Sequence, residues 1–181
     1  MSNMNDTQRQ IAAALECAFA QNGFAEIGVD GLRAASGVSL RTLYKYFPSR
    51  EEMVLAALQH RHARYLSWLF DSLPEHEAPA WLLDEVLERT GRWMAENTAC
   101  GCLFLAAVAA HPGSEALHAM LTRHKCELAQ HLAAVTGWST KANELLLLHE
   151  SVTQTWPVLG EGAVVSAKRL AALLAAAETE T

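Results

Sequence analysis

Apolar residues recur at the three- and four-residue spacing of an amphipathic helix along nearly the whole sequence, and no segment alternates convincingly as a half-buried strand would. Because 51% of the residues are apolar and only 19% are charged, a chain of 181 residues can bury a substantial core. The sequence therefore predicts an all-α protein of about nine helices. The first apolar stripe consists of Ile11, Leu15, Ala18 and Phe19.

Breakers and caps divide this pattern into helices. We expect Asp6 or Thr7 to cap the first helix and Gly23 to stop it. Ser49 and Glu52 have the spacing of a capping box at the start of a long fourth helix. Later helices are expected at about 79–97, 102–111, 114–136, 140–159 and 162–178, with Pro157 kinking or shortening the last but one. We accordingly expect an N-terminal three-helix domain over residues 1–48 and a C-terminal helical bundle over 49–181.

The most informative segment lies between Gly23 and Glu52. A second helix begins near Val29 and ends at Gly37, and a third is capped by Ser39 and stopped by Pro48. Two short helices joined by such a tight turn predict a helix-turn-helix, whose second helix can enter the DNA major groove. Helical bundles without DNA contain the same layout, so the shape alone does not decide the function.

The third helix has two different faces. Leu43 and Phe47 are four residues apart and are predicted to point at the core, where Val38 can pack on Leu43 as a hydrophobic staple. Cationic, hydroxyl and phenolic side chains occupy the remaining positions, and such groups suit phosphates and base edges. Arg50, at the head of the fourth helix, is predicted to bind phosphate. The outward set comprises Arg41, Thr42, Tyr44, Lys45 and Tyr46.

Charge permits this interpretation without requiring it. The net charge is −6, yet the first 50 residues carry five basic and four acidic side chains. The acidic residues after position 50 repel DNA and keep non-specific DNA binding weak. The first 50 residues carry a small positive charge and can still bind DNA when their cations lie on one face.

The run from Gly37 to Glu51, together with Ala18-Phe19 and Gly23-Phe24, closely resembles the N-terminal signature of TetR-family regulators. The resemblance is strong over about the first 55 residues and beyond them is only a pattern of helices. It implies that the positions of Ser39, Leu40, Arg41, Tyr44, Lys45 and Tyr46 lie at or near DNA and that Thr42 contacts a phosphate.

The family pattern also differs from this sequence at two positions. Arg50 stands where the family usually has a phosphate-binding lysine. Gly28 stands where the family usually caps its second helix with Thr or Ser, and Gly31 weakens that helix further. We include Gly28 and Val29 in the predicted DNA-binding site and expect the second helix to be somewhat loose.

The resemblance further implies a homodimer through the last two helices, an operator of double-stranded DNA and a small-molecule effector that releases a repressor. Seven bulky side chains on the central helices are candidates for the effector site, although each is also a plausible core residue. They are Trp68, Trp93, Phe104, Met120, His124, His149 and Trp156.

An alternative is a regulator that senses thiol oxidation or a metal through Cys100, Cys102 and Cys126. An enzyme is not expected, because the sequence has no phosphate-binding glycine loop, nucleophile elbow or His-Glu-x-x-His helix. We expect no cofactor, no metal and no catalytic residue. The polar N-terminus and the absence of a long apolar run predict a cytoplasmic protein without a membrane partner.

Overall fold

A computed structural model describes residues 4–74, 76–97 and 101–179, and all of its regular structure in those ranges is helical. Nine α-helices and one short 3-10 turn, Ser139–Lys141, follow one another there, which confirms the all-α prediction. The helices are α1 Asp6–Glu26, α2 Val29–Ser36, α3 Leu40–Tyr46, α4 Arg50–Phe70, α5 Pro79–Asn97, α6 Leu103–Ala110, α7 Glu115–Thr136, α8 Ala142–Leu159 and α9 Glu161–Thr179.

The first helix begins one or two residues earlier than the predicted caps imply. Asn5 is its N-cap, and its side chain accepts a hydrogen bond from the backbone N–H of Gln8, whose own side chain accepts from the Asn5 N–H. This reciprocal capping box satisfies two N–H groups and replaces the predicted caps, Asp6 or Thr7. Gly23, predicted to stop the helix, instead interrupts it with a φ of 73°, and helical residues continue to Glu26.

The chain divides into two compact units. The first contains the described residues up to Tyr65 together with Leu103–Leu121. Its core joins α1, α2, α3, α6 and the first part of α4, and such burial of apolar surface is the main stabilising term. The fully buried side chains at its centre include Leu15, Phe19, Leu32, Leu43, Met53 and Leu58.

The second unit contains the described residues within Leu66–Cys102 and Thr122–Thr181. In it α5, α8 and α9 pack against one another around an apolar core that includes Leu83, Leu87, Leu145 and Val152. Gly91 allows this close packing, because a Cβ atom there would lie 2.5 Å from a methyl carbon of Val164.

Arg89 of α5 closes the C-terminal end of α4 within the second unit. Its guanidinium donates to the carbonyl oxygens of Leu69 and Asp71, at 3.2 and 2.8 Å, and the Trp68 indole donates back to the Arg89 carbonyl at 2.9 Å. The last carbonyls of a helix have no partner within it, so these bonds stabilise the helix end. No helix in the described ranges combines the length and apolarity that crossing a membrane requires.

Candidate DNA-binding site

The turn between α2 and α3 has the geometry that the sequence predicted. Gly37 adopts the left-handed conformation, with a φ of 66°, and its N–H bonds to the carbonyls of Arg33 and Ala34. A residue with a side chain is strained in that conformation, which explains the glycine at the C-cap of α2. Ser39 then caps α3 by accepting a hydrogen bond from the Thr42 N–H at 3.1 Å. The two short helices are thus joined by a tight, fully capped turn.

One face of α3 packs into the first unit and the other is exposed. Leu43 is completely buried and Phe47, just after the helix, is 5% exposed. Arg41 and Lys45 are exposed, as predicted for cations four residues apart on the opposite side. The apolar contact fixes α3 on the core, and the cations remain available to a duplex.

Leu40 and Tyr44 extend the exposed face with apolar and aromatic surface. Leu40 is 42% exposed and Tyr44 is 39% exposed. A leucine and a phenol beside two cations can contact thymine methyl groups and phosphates.

Two predicted contact residues have partners inside the domain. Tyr46 is half-buried and packs against the core, so only part of its ring is available, and Lys45 Nζ lies 5.5 Å from the centre of that ring. The Thr42 hydroxyl is 2.8 Å from the Ser39 hydroxyl. Both hydroxyls therefore lie at the first turn of α3, where its free N–H groups favour an anion.

Arg50 has a structural partner that the sequence did not reveal. Its guanidinium donates to the Phe24 carbonyl at 2.5 Å and lies over the Phe19 ring, 5.8 Å from the ring centre. The side chain is half-buried at the first residue of α4. It thereby ties α4 to the end of α1, so a contact with phosphate would be an additional role.

The start of α2 lacks a side-chain cap. Gly28 is the N-cap in an extended conformation and makes no side-chain hydrogen bond, as the sequence predicted for a glycine there. Gly28 is exposed and Val29 is half-buried. A serine hydroxyl at this position would be able to bind the backbone or a phosphate, and glycine can do neither.

A buried ionic cluster joins α1 to α4 in the first unit. The Glu16 carboxylate of α1 accepts from His60, Arg61 and Arg64 of α4 at 2.6, 3.2 and 2.8 Å, and Glu16 is 2% exposed. Burial alone would raise the pKa of Glu16, but the hydrogen bond from His60 and the two arginine charges outweigh it and lower the pKa. The sequence did not reveal this cluster, because Glu16 is 44 to 48 residues from its partners on α4.

The seven candidate effector residues are divided between the two units. Phe104 and Met120 lie in the first, where Phe104 contacts the ring of His62. In the second unit the rings of Trp68 and Trp93 are 5.9 Å apart, and Trp156 lines an open cleft next to Gly91. His124 and His149 are 3% and 1% exposed.

The cysteines differ in exposure. Cys17 and Cys126 are exposed, Cys102 is half-buried, and Cys100 lies outside the described residues. Among the residues that the structure covers, no three His, Cys, Asp or Glu side chains form a group that could hold a metal ion.

Comparison with known proteins agrees with this geometry. Residues 11–57 match the model of the tetR family of bacterial regulatory proteins. No curated protein sequence matches the chain.

Solved structures share the fold at low sequence identity. A TetR-family transcriptional regulator from Streptomyces coelicolor, SCO4454, superposes with a TM-score of 0.78 at 16% identity, covering 93% of this chain and 87% of that chain. A TetR transcription regulator from Haloarcula marismortui gives a TM-score of 0.78 at 18% identity, with 96% and 98% coverage. Salmonella enterica GusR gives 0.69 at 22% identity, with 93% and 94% coverage.

The match covers α1 to the start of α4, the segment that contains the helix-turn-helix, and the shared fold extends over most of the remaining chain. Residues 11–57 thus resemble the DNA-binding, helix-turn-helix segment of the tetR family of bacterial regulatory proteins, and most of the chain shares the fold of solved TetR-family regulators.

Proposed function

We propose that the protein is a homodimeric repressor that occupies a palindromic operator with two copies of α3 and is released when a small molecule binds its C-terminal region. The main support for the proposal is that α3 has two different faces. Leu43 forms its buried face, and Arg41, Tyr44 and Lys45 lie on its exposed face. We assign DNA recognition to residues 1–48 and effector binding and dimerisation to 49–181.

The exposed side chains have distinct roles in this proposal. Arg41 can donate two parallel hydrogen bonds to guanine, whereas Lys45 supplies a point charge to a phosphate. Ser39 and Thr42 present hydroxyls at the first turn of α3, where the helix dipole also favours phosphate. Leu40 and Tyr44 supply apolar contacts to the floor of the major groove. The start of α2, at Gly28 and Val29, lies against the DNA backbone.

A second copy of the chain is supported by the outer face of α8 and α9. Leu147 of α8 is 70% exposed, and Leu173 of α9 is 68% exposed. A shallow groove with a volume of about 490 Å³ runs between them. Leucines in such numbers on a surface indicate a protein interface, and the equivalent face of a twofold-related copy would cover them. The apolar residues that line the groove are Leu147, Leu148, Leu170, Leu173 and Leu174.

A dimer also explains how one short helix can specify an operator. Each α3 is only seven residues long and reaches few base pairs. Two such helices, related by a twofold axis and placed about one DNA turn apart, read a palindrome.

Two open clefts of the second unit support an effector of modest size. One, of about 240 Å³, is lined by Trp68, Glu85, Arg89 and Arg92. The other, of about 270 Å³, is lined in part by Arg92 and Trp156. Each combines an indole with charged groups, the mixture expected where a few polar contacts orient an organic ligand. Effector binding releases DNA if the effector favours a conformation in which the two helix-turn-helix domains no longer have the spacing that the operator requires.

The proposal is tested by fluorescence anisotropy with the DNA next to the protein's own gene, compared with a shuffled duplex of the same length. We expect saturable binding of two chains per palindrome, at least 10³-fold tighter than to the shuffled duplex. Equal affinity for both duplexes, or one chain per site, would refute it. A screen of small molecules for release of the bound duplex then identifies the effector.

A further inference from the structure

One of the two open clefts of the second unit is lined by an indole and three charged side chains. They are Trp68 of α4 and Glu85, Arg89 and Arg92 of α5, and we call this cleft the Trp68 cleft. Its volume of about 240 Å³ is below the range that encloses drug-sized ligands, so it suits a molecule with a single ring. The charged residues follow one another at spacings of four and three, which places them on one face of α5.

The indole of Trp68 is held in a fixed position. Its N–H donates to the Arg89 carbonyl at 2.9 Å, and its ring centre lies 5.9 Å from that of Trp93. Trp68 is nonetheless 36% exposed. Since the polar atom of the ring is already bonded within the protein, the ring offers a ligand its apolar surface, which suits stacking with another aromatic ring.

The lining of the Trp68 cleft carries a net positive charge. Glu85 Oε1 accepts from Arg89 Nε at 2.9 Å and from Arg92 Nη2 at 3.0 Å, so two guanidinium groups share a single carboxylate. A monoanionic ligand would balance the remaining positive charge. A phosphate monoester, with a charge of about −1.5 to −2, would exceed it.

The two arginines differ in how many of their donors are already bonded. Arg89 also donates from Nη1 to the carbonyls of Leu69 and Asp71, and its side chain is only 17% exposed. The Arg92 side chain is 51% exposed, and its hydrogen bond to Glu85 is the only one that it makes to a described residue. Because a guanidinium has five N–H donors, Arg92 keeps donors for a second carboxylate.

The second open cleft, which we call the Trp156 cleft, has a different charge. Its charged lining residues are Glu88, Arg92 and Glu161. Glu88 pairs with Lys168 at 3.0 Å, and even with this lysine counted the net charge of the cleft is not positive. An anion is therefore favoured in the Trp68 cleft and not in the Trp156 cleft.

We propose that the Trp68 cleft binds a small aromatic carboxylate. The carboxylate of the ligand accepts hydrogen bonds from the Arg92 guanidinium, and its ring stacks on the Trp68 indole. That this ligand is the effector rests on the proposed function, whereas its binding does not. Arg89 relates the cleft to DNA binding, because it lines the cleft and also holds the C-terminal end of α4, the helix that begins at Arg50.

Binding is tested by isothermal titration calorimetry on the full chain without DNA, with benzoate as the probe. We expect one saturable site per chain and a dissociation constant of about 1 mM or lower. Benzamide keeps the ring without the charge and acetate keeps the charge without the ring, so each should bind about tenfold more weakly or worse. Tighter binding of phenyl phosphate than of benzoate would overturn the assignment to a carboxylate.

Variants locate the site. Arg92→Gln should weaken benzoate binding about tenfold, and Arg92→Lys, which keeps the charge, should weaken it less. The control Arg123→Gln removes an exposed cation of α7 and should leave binding unchanged. Because Arg92 lines both clefts, Trp68→Leu and Trp156→Leu distinguish them, and only the change at Trp68 should weaken binding.

Absence of saturable benzoate binding, wild-type affinity in Arg92→Gln, or a loss confined to Trp156→Leu would overturn the proposed site. Arg92 is an exposed position, so its substitution decides the question even if Trp68→Leu fails to fold.

Operator binding is measured in parallel. Benzoate should release the operator from the wild-type protein and, at the same concentration, much less from Arg92→Gln. Unchanged operator affinity at saturating benzoate would overturn the effector role alone. Absence of operator binding by the protein without benzoate would instead overturn the proposed function and leave the calorimetric result in force.

Discussion

Arg61 of α4 and Glu16 of α1 face each other across the first unit, with Nη1 and Oε1 3.2 Å apart and both residues at most 5% exposed. A carboxylate so deeply buried is stable only because it is paired, and loss of Glu16 removes the anion that Arg61 and Arg64 share. The pair therefore fastens α1, which packs against α2 of the helix-turn-helix, to the middle of α4.

This pair predicts a pH dependence of stability. Because the pKa of Glu16 is lower in the folded state than its usual value of 4.5, its stabilising contribution is fully present above pH 4.5 and is lost as the pH falls through the folded value. Glu16→Gln should lower the free energy of unfolding at pH 7 by about 3 kcal/mol and reduce the loss on acidification.

The measurement is urea denaturation between pH 3 and 7, with Glu26→Gln, an exposed change on the same helix, as the control. Equal stability of the Glu16 variant and the wild-type protein at pH 7 would disprove the structural role of the cluster.

Substitutions of Arg50 separate its structural role from its proposed phosphate contact. Arg50→Ala should weaken binding to all DNA sequences alike, flatten the salt dependence by about one unit and lower the melting temperature, because the Phe24 carbonyl loses its donor. Arg50→Lys keeps the charge and should retain the salt dependence. Anisotropy titrations at several salt concentrations measure both effects, and a loss confined to one base position would argue against a phosphate contact.

Gly28→Ser should stabilise the N-terminal helix-turn-helix domain. The backbone at Gly28 is extended and a Cβ atom there meets nothing within 4 Å, so a serine fits without strain. Its hydroxyl can cap α2, a gain of a few tenths of a kcal/mol over glycine and about 1 kcal/mol over Gly28→Ala. Thermal denaturation should rank serine above glycine and glycine above alanine, and the reverse order would show that α2 needs no side-chain cap.

The proposed dimer predicts that a charge on the α8–α9 face separates the subunits. Leu173→Glu or Leu147→Glu should yield a folded monomer in sedimentation experiments, because the partner surface cannot solvate a carboxylate. Leu105→Glu changes an exposed leucine of α6 and should leave the dimer intact. A monomeric wild-type protein at micromolar concentration would rule out this interface.

Local chemistry explains what the sequence made predictable. Gly37 and Ser39 end and begin helices through their own backbone conformation and side chain, so the turn could be placed to the residue. The cap of α1 was assigned to the wrong residue because Asn5, Asp6 and Thr7 are all competent caps, and only the reciprocal bond to Gln8 distinguishes Asn5.

Contacts between distant residues explain what could not be predicted. Arg50 is 26 residues from Phe24, and Lys125 is 23 and 25 residues from Cys102 and Glu150. No spacing rule connects such pairs, since their meeting depends on how whole helices pack. The same holds for Tyr46. It was predicted to point outward, but its ring packs partly against the core.

The most direct test of the account is the operator affinity of Tyr44→Ala and Lys45→Ala, measured by anisotropy at moderate salt beside Arg123→Ala, which removes an exposed cation of α7. Each α3 variant should remain folded and dimeric and should lose about 1–3 kcal/mol of binding free energy for each operator half-site, whereas the control should bind like the wild-type protein. Wild-type affinity in both α3 variants would contradict the assignment of this helix to DNA.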